Sequence, residues 1–329
     1  MDQGNGAQVR ERILALLRGQ PGVYLPGHEI CRLIGISRAA LWKQMGLLRR
    51  AGYPISAKPR LGYSLKPGGA PLARTRIMGR CLLQFMRVSS TNEVARRLAG
   101  DGAVEGTVVV ADEQSAGRGR QGRAWVSPRG GLWFSVVLRP PAVAQPQQLM
   151  LLGGVAVARA LRRTTGLEPG LKWPNDVMLG DRKVCGILGE MVPASQNGGD
   201  GRPAVVLGVG INANLDPWSF PQEVRPLVTS LKQELGRQVS LRRLLIAVLE
   251  ELEQFYSTWL EHGFGPVLEE WKALDRTVGS LVRVSTVEGS LEGRAEAVDA
   301  DGRLIIDTGE GRVTAVSAGD VHLGAAGFI

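Results

Sequence analysis

The sequence predicts an α+β fold with three parts: an N-terminal winged helix-turn-helix domain, a central domain built on a mixed or largely antiparallel sheet with helices, and a small C-terminal β domain. Three observations predict it. At 329 residues, the chain exceeds the size of one typical core. The central region does not alternate strictly between strand and helix, as a parallel α/β sheet would require. Residues 278–329 alternate apolar and polar side chains, which is typical of short strands.

The first part contains three helical patterns followed by a hairpin pattern. Apolar residues at near-helical spacing predict helices over 7–18 and 27–34. Gly35 and Ser37 then lie in a tight turn, and the Ser37 hydroxyl is well suited to cap a third helix. Residues 53–65 alternate around a Pro-Arg-Leu-Gly turn, which predicts a hairpin, or wing. Two helices joined by a short turn that contains glycine form the helix-turn-helix pattern.

Most of the net charge belongs to this part. The chain carries +9 at pH 7, and residues 1–66 hold eleven Lys or Arg against three acidic residues. A concentrated basic surface on this motif predicts a polyanionic partner, and we expect DNA. The alternative is a small protein-interaction domain with a solvated basic face. Trp42 is expected in the core rather than against bases. The candidate DNA-binding residues are Ser37, Arg38, Lys43, Arg49, Arg50, Lys58 and Arg60.

Composition excludes several classes of protein. Hydrophobic content of 44% and charged content of 22% are ordinary for a globular chain, and no apolar run approaches the roughly 20 residues of a membrane span. The N-terminus has no apolar stretch of signal-peptide type, so we expect a cytoplasmic protein without a membrane partner. The three cysteines are isolated, which argues against disulfides and zinc, and no histidine accompanies a Ser or Cys motif. No set of metal-ligating residues is assigned.

The central part begins after a linker. Residues 67–76 are rich in Pro and Gly, so the predicted domains span 1–66, 77–275 and 276–329. Residues 89–100 predict a helix for which Ser89, Ser90 and Thr91 are candidate caps. The other predicted elements are strands at 107–113 and 132–138, a long helix at 147–166, a hairpin of strands at 183–192 and 203–214, and helices at 241–263 and 266–275.

Residues 114–125, QSAGRGRQGRAW, contain three glycines in G-x-G-x-x-G spacing with three arginines between and after them. A dinucleotide-binding turn would open a helix and would be followed about 20 residues later by an acidic residue. Here a strand-like segment follows, and no acidic residue occurs before Glu168. The P-loop pattern is also absent from the sequence. Glycines that let the backbone approach an anion, combined with arginine forks, predict a carboxylate- or phosphate-binding loop, with a solvated basic loop as the alternative.

A second motif, LKWPNDVMLGDRKVCG at 171–186, interrupts an extended run with a polar corner. Lys183 heads the next strand, and Asp176 lies at the corner. The two side chains predict one of two arrangements. They form a structural ion pair, or Lys183 binds phosphate while the Asp176 carboxylate acts as a base or faces magnesium. A third polar patch, residues 210–214, ends the following strand.

Together these motifs resemble the biotin protein ligase family, specifically the bifunctional bacterial type that also represses the biotin operon. The resemblance covers nearly the whole chain. The ordered set is much more specific than any one motif, and the N-terminal domain separates this type from ligase-only members. The matching residues are Ser90, Thr91, Asn92, Gly117, Arg118, Gly119, Arg120, Gly122, Arg123, Trp125, Lys172, Trp173, Pro174, Asn175, Asp176, Lys183, Gly186, Gly208, Gly210, Ile211 and Asn212.

The resemblance implies that biotin and ATP form biotinyl-5′-adenylate and pyrophosphate. It assigns Ser90, Thr91, Asn92 and Gln114 to the ureido head and ring region of biotin, and Gly117 to Arg120 to the carboxylate and phosphate. Lys183 would bridge the two reacting anions. Asn175, Asp176 and Asn212 would line the nucleotide and Mg²⁺ side. The implied catalytic residues are Lys183, Arg118, Arg120 and Asp176, and the implied substrate-binding set adds Trp125 and Gly186.

The same resemblance implies partners. The biotinyl group would pass to one lysine of a biotin carboxyl carrier protein, and the adenylate-bound chain would form a homodimer on operator DNA. The C-terminal domain resembles a small SH3-like β-barrel, but neither Arg312 nor His322 matches the nucleotide-contacting arginine of some relatives. No site residue is therefore assigned there. The alternatives are a lipoate–protein ligase, which shares the fold and reaction logic, and a ligand-sensing DNA-binding regulator without ligase activity.

Overall fold

Three units follow one another along the chain, as a computed structural model shows. The structure describes residues 4–19, 23–50, 55–59, 61–65, 77–79, 81–140, 146–194, 202–286, 289–309 and 312–323. The predicted linker and Arg60 lie outside these residues, and the side chains of Arg49 and Arg50 are likewise not described. Within the described part, no helix combines the length and the apolar character needed to cross a membrane.

The N-terminal unit has the predicted order of three helices and a hairpin. It consists of α1 (Gly4–Gly19), α2 (Gly27–Ile34), α3 (Arg38–Arg50), β1 (Ile55–Lys58) and β2 (Gly62–Leu65), and the two strands pair antiparallel. Ser37 Oγ accepts a hydrogen bond from Ala40 N at 3.2 Å, which confirms the predicted cap. The unit encloses a core of its own, to which all five elements contribute.

The expectation that Trp42 lies in this core is wrong, because its side chain is 75% exposed. Leu41, Met45 and Leu48 are the residues of α3 that pack inward. They recur at the i, i+4, i+7 spacing of one helical face. Position 42 therefore points away from the core, together with Arg38 one turn earlier.

The central unit is built on a seven-stranded mixed sheet. Its strand order is β3-β4-β5-β9-β8-β7-β6, with β3 and β4 parallel and every other neighbouring pair antiparallel. The sequence predicted an extended run on both sides of the corner where β6 and β7 lie, but it did not predict β3. The strands are β3 (Cys81–Phe85), β4 (Thr107–Ala111), β5 (Leu132–Leu138), β6 (Gly170–Lys172), β7 (Asp176–Leu179), β8 (Arg182–Val192) and β9 (Ala204–Ile211).

Helices cover both faces of this sheet. On one face α5, α7 and α8 share a large apolar core with the strands, and on the other α4 packs in a smaller one. Ser90 stands at the N-cap of α4, but its side chain makes no capping bond; Ser89 Oγ instead donates to Glu93 Oε2 at 2.6 Å. The helices are α4 (Thr91–Gly100), α5 (Pro146–Thr165), α6 (Leu231–Leu235), α7 (Leu241–His262) and α8 (Gly265–Leu274).

The C-terminal unit is a five-stranded antiparallel sheet in the order β13-β12-β11-β10-β14. Its strands are β10 (Leu281–Thr286), β11 (Gly289–Val298), β12 (Leu304–Asp307), β13 (Val313–Val316) and β14 (Asp320–Leu323). Its buried residues join the core around α5. The indole of Trp173 donates to Gly302 O at 2.9 Å, and Trp173 N donates to Thr277 Oγ1 at 2.9 Å. These contacts hold the small sheet beside the polar corner between β6 and β7.

Candidate active site

A cavity of about 590 Å³ collects the predicted motifs from distant parts of the chain. Its wall comes from the start of α4, the loop before β5, the corner between β6 and β7, strands β8 and β9, residues 220–228, and β14. All predicted substrate-binding and catalytic residues except one line it: Ser90, Thr91, Asn92, Gln114, Arg118, Gly119, Arg120, Trp125, Asn175, Asp176, Lys183, Gly186 and Asn212.

Gly117 is the exception, because it lies behind the cavity wall, and its assignment to the substrate stays a prediction. A Cβ at this position would lie 2.4 Å from Trp125 O and 2.6 Å from Ser127 Oγ. Gly117 O also accepts from Trp125 N at 2.9 Å. The glycine is needed because the two sides of the loop approach each other closely, not because it faces the cavity.

One end of the cavity has buried, uncharged polar groups. Gln114 Oε1 accepts from Thr91 N at 2.8 Å and lies 3.1 Å from Thr91 Oγ1, while Gln114 Nε2 donates to Ser127 Oγ at 2.8 Å. Ser135 Oγ lies 2.7 Å from Thr91 Oγ1 and 2.6 Å from Asn92 Oδ1. Because these groups already bond one another, their positions are set before any ligand arrives.

Two glycines of β9 make room for this arrangement. A Cβ on Gly208 would lie 2.1 Å from Asn92 Oδ1, and a Cβ on Gly210 would lie 2.5 Å from Trp125 Nε1. Asn92 also donates through Nδ2 to Glu190 Oε2 at 2.7 Å, so it cannot simply turn away. Any side chain at these positions would therefore displace groups that line the cavity.

The arginine loop, residues 117–125, folds back on itself beside the cavity. Gly119 N donates to Arg123 O at 2.7 Å, and the non-glycine residue Gln121 has φ +54°. Arg120 Nη1 reaches Gly319 O at 3.1 Å, and burial lowers the pKa of its guanidinium against the attraction of Asp320 and Asp176. The loop therefore brings cations to the cavity from a backbone whose glycines allow its two sides to approach closely.

An ion pair stands at the opposite wall. Lys183 Nζ lies 2.5 Å from Asp176 Oδ1 and 5.0 Å from the centre of the Trp125 ring. Lys172, the residue before Trp173, also lines the cavity, and burial lowers the pKa of its ammonium although Asp176 opposes the shift. The sequence analysis offered a structural pair or a phosphate site here, and the pair lies in the cavity wall.

The C-terminal sheet contributes residues that the sequence analysis did not assign. Asp320, Val321 and His322 line the cavity, and Asp320 forms an ion pair with Arg123 of the arginine loop. Nothing in the local sequence GDVHLG signals this, because the contact joins residues 197 positions apart. Residues 220–228 were also missed, and Lys172, although it belongs to the second motif, had been given no site role.

The candidate DNA-binding residues whose side chains are described lie on α3, on the turn before it and on β1. Ser37, Arg38 and Lys43 are exposed at the start of α3, and Lys58 is exposed at the end of β1. Arg49 and Arg50 end α3. A groove of about 650 Å³ runs between α3 and the hairpin.

Comparisons with known proteins match each of the three units. Residues 84–212 match the biotin/lipoate A/B protein ligase family, residues 9–64 match an HTH domain, and residues 277–324 match the biotin protein ligase C-terminal domain. The chain is 36% identical over 326 residues to the bifunctional ligase/repressor BirA of Bacillus subtilis, covering 96% of this chain and 99% of that protein.

Two further relatives match the ligase part. The chain is 37% identical over 249 residues to the biotin–[acetyl-CoA-carboxylase] ligase of Mycobacterium tuberculosis, covering 72% of this chain and 87% of that protein. A structure of the biotin protein ligase from Aquifex aeolicus in complex with biotin and ATP is 30% identical, covers 74% of this chain and 99% of its own, and superposes with a TM-score of 0.64. The chain therefore belongs to the biotin protein ligase family, in the group whose members join a ligase to a helix-turn-helix domain.

Proposed function

We propose that this protein adenylates biotin with ATP, transfers the biotinyl group to one lysine of a biotin carboxyl carrier protein, and represses biotin genes when it holds the adenylate. The main observation in support is that a neutral polar pocket, the arginine loop and the pair of Lys183 and Asp176 converge in one cavity. The relatives' names and the matched domains support both roles.

In this proposal the neutral end of the cavity receives the bicyclic ring of biotin. The ureido group is uncharged and carries both donors and acceptors, so it suits Ser90, Thr91 and Gln114. Asn92 is already bonded on both sides of its amide, which makes it a positioning residue for this pocket. Trp125 closes the pocket near Gly186 and Gly210.

Adenylation then requires two anions to meet. A biotin carboxylate oxygen attacks the α-phosphorus of ATP, the bond to the bridging oxygen breaks, and pyrophosphate leaves with its electron pair. Arg118, Arg120 and Lys183 would offset the repulsion with donors fixed in advance, which is the form of catalysis that stabilises developing charge most strongly. Lys183 would exchange Asp176 for the reacting oxygens.

The cavity also suits Mg²⁺ carried in with ATP. Among the described residues, the buried oxygen Asn212 Oδ1 has no hydrogen-bond partner, and Asp176 Oδ1 is held by Lys183 in an ion pair from which it would be released; carboxylate and amide oxygens are ligands that Mg²⁺ accepts. No group of three His, Cys, Asp or Glu converges among the described residues, so nucleotide phosphates would complete the ligand set. When bound, the ion would neutralise phosphate charge; Asp176 and Asn212, beside Asn175, would hold it.

In the second step, the neutral amine of the acceptor lysine attacks the biotinyl carbonyl and AMP leaves. The mixed anhydride also reacts with water, so the arginine loop would serve as a lid that excludes water until the carrier arrives. ATP, carrier protein and operator DNA occur together in the cytoplasm, which is where we place the protein. We keep the predicted domain boundaries 1–66, 77–275 and 276–329, with 67–76 as the linker.

For repression, we propose a homodimer favoured by the adenylate. Winged helix-turn-helix domains usually bind as two-fold dimers, and two copies would pair at the β3 edge of the central sheet, since the β6 edge already bonds to Asp275 and Arg276. If the adenylate favours the dimer, the dimer must tighten adenylate binding by the same factor. Sedimentation with and without biotin plus ATP tests this: a chain that stays monomeric with adenylate bound contradicts the coupling.

The enzymatic proposal is tested by mass spectrometry of a carrier domain after incubation with protein, ATP and either biotin or lipoate. We expect one added biotinyl group on one lysine and none with lipoate. Transfer of lipoate alone would favour the lipoate–ligase alternative. Absence of both transfer and biotin-dependent ATP–pyrophosphate exchange would leave a ligand-sensing regulator.

A further inference from the structure

The exposed Trp42 has no role in the ligase cavity and none in the core of its own domain. It is the fifth residue of α3, where the N-terminal residues of a recognition helix contact base edges. Its side chain is 75% exposed, and exposed tryptophans are uncommon outside binding surfaces. The position therefore calls for a ligand that covers an aromatic surface.

The surroundings of Trp42 indicate the chemistry of that ligand. Trp42 lies on the wall of the groove between α3 and the hairpin, together with Arg38 and Lys58. None of the described residues that line this wall is acidic, and both cations are exposed. A polyanion fits this groove better than a protein surface of mixed charge does. In duplex DNA, the sugar–phosphate strand would follow the cations, and Trp42 would face the major groove beside it.

Within a duplex the bases are stacked, so an indole meets their edges rather than their faces. The major-groove edge offers one apolar group, the C5-methyl of thymine. We propose that Trp42 is a specificity-determining residue that packs against a thymine methyl in each operator half-site. This inference rests on the proposed DNA binding, and it adds which residue recognises one of the bases.

The test uses the full-length protein with biotin and ATP. A bound duplex is first selected from a randomised pool, and each thymine is then replaced in turn by deoxyuridine, which removes only the methyl group. Affinities are measured by fluorescence anisotropy. Removing one buried methyl should weaken the wild-type protein about fourfold at one thymine per half-site. Trp42→Ala should bind the thymine and deoxyuridine duplexes equally.

Matched variants separate this role from others. Leu33, which is 49% exposed on α2 and does not line the groove, provides the control: Leu33→Ala should keep the fourfold discrimination. Lys43→Ala should lower the salt dependence of binding by about one unit of log–log slope without removing discrimination, whereas Trp42→Ala should leave that slope unchanged. Trp42→Ala should also adenylate biotin normally, which shows that the protein is folded.

Three results would overturn the inference. Equal wild-type affinity for every deoxyuridine duplex would show that no methyl is read. Discrimination that survives in Trp42→Ala would assign the reading to another residue. Trp42→Ala that retains discrimination but loses adenylate-dependent dimerisation would make this face a protein contact. A wild-type protein that selects no DNA would instead refute the repressor proposal itself.

Discussion

Two regions of this chain are rich in cationic side chains. In one region these side chains are exposed to solvent, and in the other they are partly buried and paired. In the N-terminal domain, Arg38, Lys43 and Lys58 stand on a capped helix and a hairpin with their charges in solvent. In the ligase cavity, Arg120 is half-buried and Lys183 is paired with Asp176. The first surface offers solvent-exposed charge on a helix and a hairpin, whereas the second offers partly buried, partnered charge on the arginine loop and on β8.

The difference follows from what each region would bind. A DNA strand is a long row of charges, and a cation contributes by displacing counterions wherever it stands along the row. A reaction between two anions needs charge at one place, released from its resting partner only when the substrates arrive. Net charge therefore locates the first region in the sequence but not the second, because 77–329 is nearly neutral as a whole.

The largest expected contrast is in salt dependence. Raising salt from about 50 to 200 mM should weaken DNA binding by roughly 10³-fold or more if six cations per protomer contact phosphates. Adenylation at saturating substrate should change by less than about threefold, since partly buried pairs are screened less. Anisotropy and pyrophosphate exchange in the same buffers measure the two. Equal sensitivity of both activities would remove the distinction.

The next effect concerns Lys183. Lys183→Ala should slow adenylate formation by about 10²–10³-fold, the usual loss for one charge-stabilising group, while DNA binding without ligand stays unchanged. Lys272→Ala, which removes an exposed cation paired with Glu269, is the control and should retain normal activity. A folded Lys183→Ala protein that adenylates biotin at nearly the wild-type rate would contradict the catalytic role proposed for Lys183.

A smaller effect is expected from Gly208→Ala. The new Cβ would start 2.1 Å from Asn92 Oδ1, so the bond from Ser135 to Asn92 must be disturbed. Strain of about 1–3 kcal/mol corresponds to roughly 5- to 150-fold weaker biotin binding, measured by calorimetry without ATP. Gly100→Ala meets nothing within 4 Å and should bind biotin normally. An unchanged affinity of Gly208→Ala for biotin would show that Asn92 does not position the biotin pocket.

The smallest effect concerns the arginine loop and its contact with β14. Trypsin should cut the empty loop after Arg118, Arg120 or Arg123, and biotin plus ATP should slow cleavage. Asp320→Asn should speed cleavage of the empty form about two- to fivefold, because it weakens one ion pair whose arginine is exposed to solvent. Asp301→Asn, which removes a pairing with Arg303, is the control. Cleavage that is equally slow with and without ligand would contradict the lid.

Long periodic elements of the fold were predictable from the sequence, and so were short strands beside a clear turn or within a buried run, but β3 and the bounds of β6 and β7 were not. The pattern that predicts α5 and the hairpin of β8 and β9 extends over many residues, whereas β6 has three residues and β7 has four. Such short strands are defined by their neighbours in the sheet rather than by their own pattern. The expectation that Trp42 is buried was wrong because it relied on the apolar character of tryptophan and not on its position in the helix. The spacing of Leu41, Met45 and Leu48 already marks the other face of α3 as buried.

The site was predictable where its residues form local motifs. The arginine loop and the corner at Asp176 stand out because glycine spacing and interrupted strands are visible within a dozen residues. The contact of Arg120 with Gly319 spans 199 residues, and no local pattern encodes it. The close approach of Gly117 to Trp125 O and Ser127 Oγ is likewise not visible in the motif, because it depends on how the loop folds back.

The position of β14 in the cavity wall also orders events during synthesis. The helix-turn-helix domain has its own core and is complete by Leu65, whereas the cavity is complete only when His322 has been added. At about 5–20 residues per second, the ribosome needs roughly 10–50 s to cover that distance. During this interval the nascent chain carries its DNA-binding surface without a closed ligand cavity. A chain that terminates before β14 would keep the nucleic-acid surface but lack the wall that senses the small molecule.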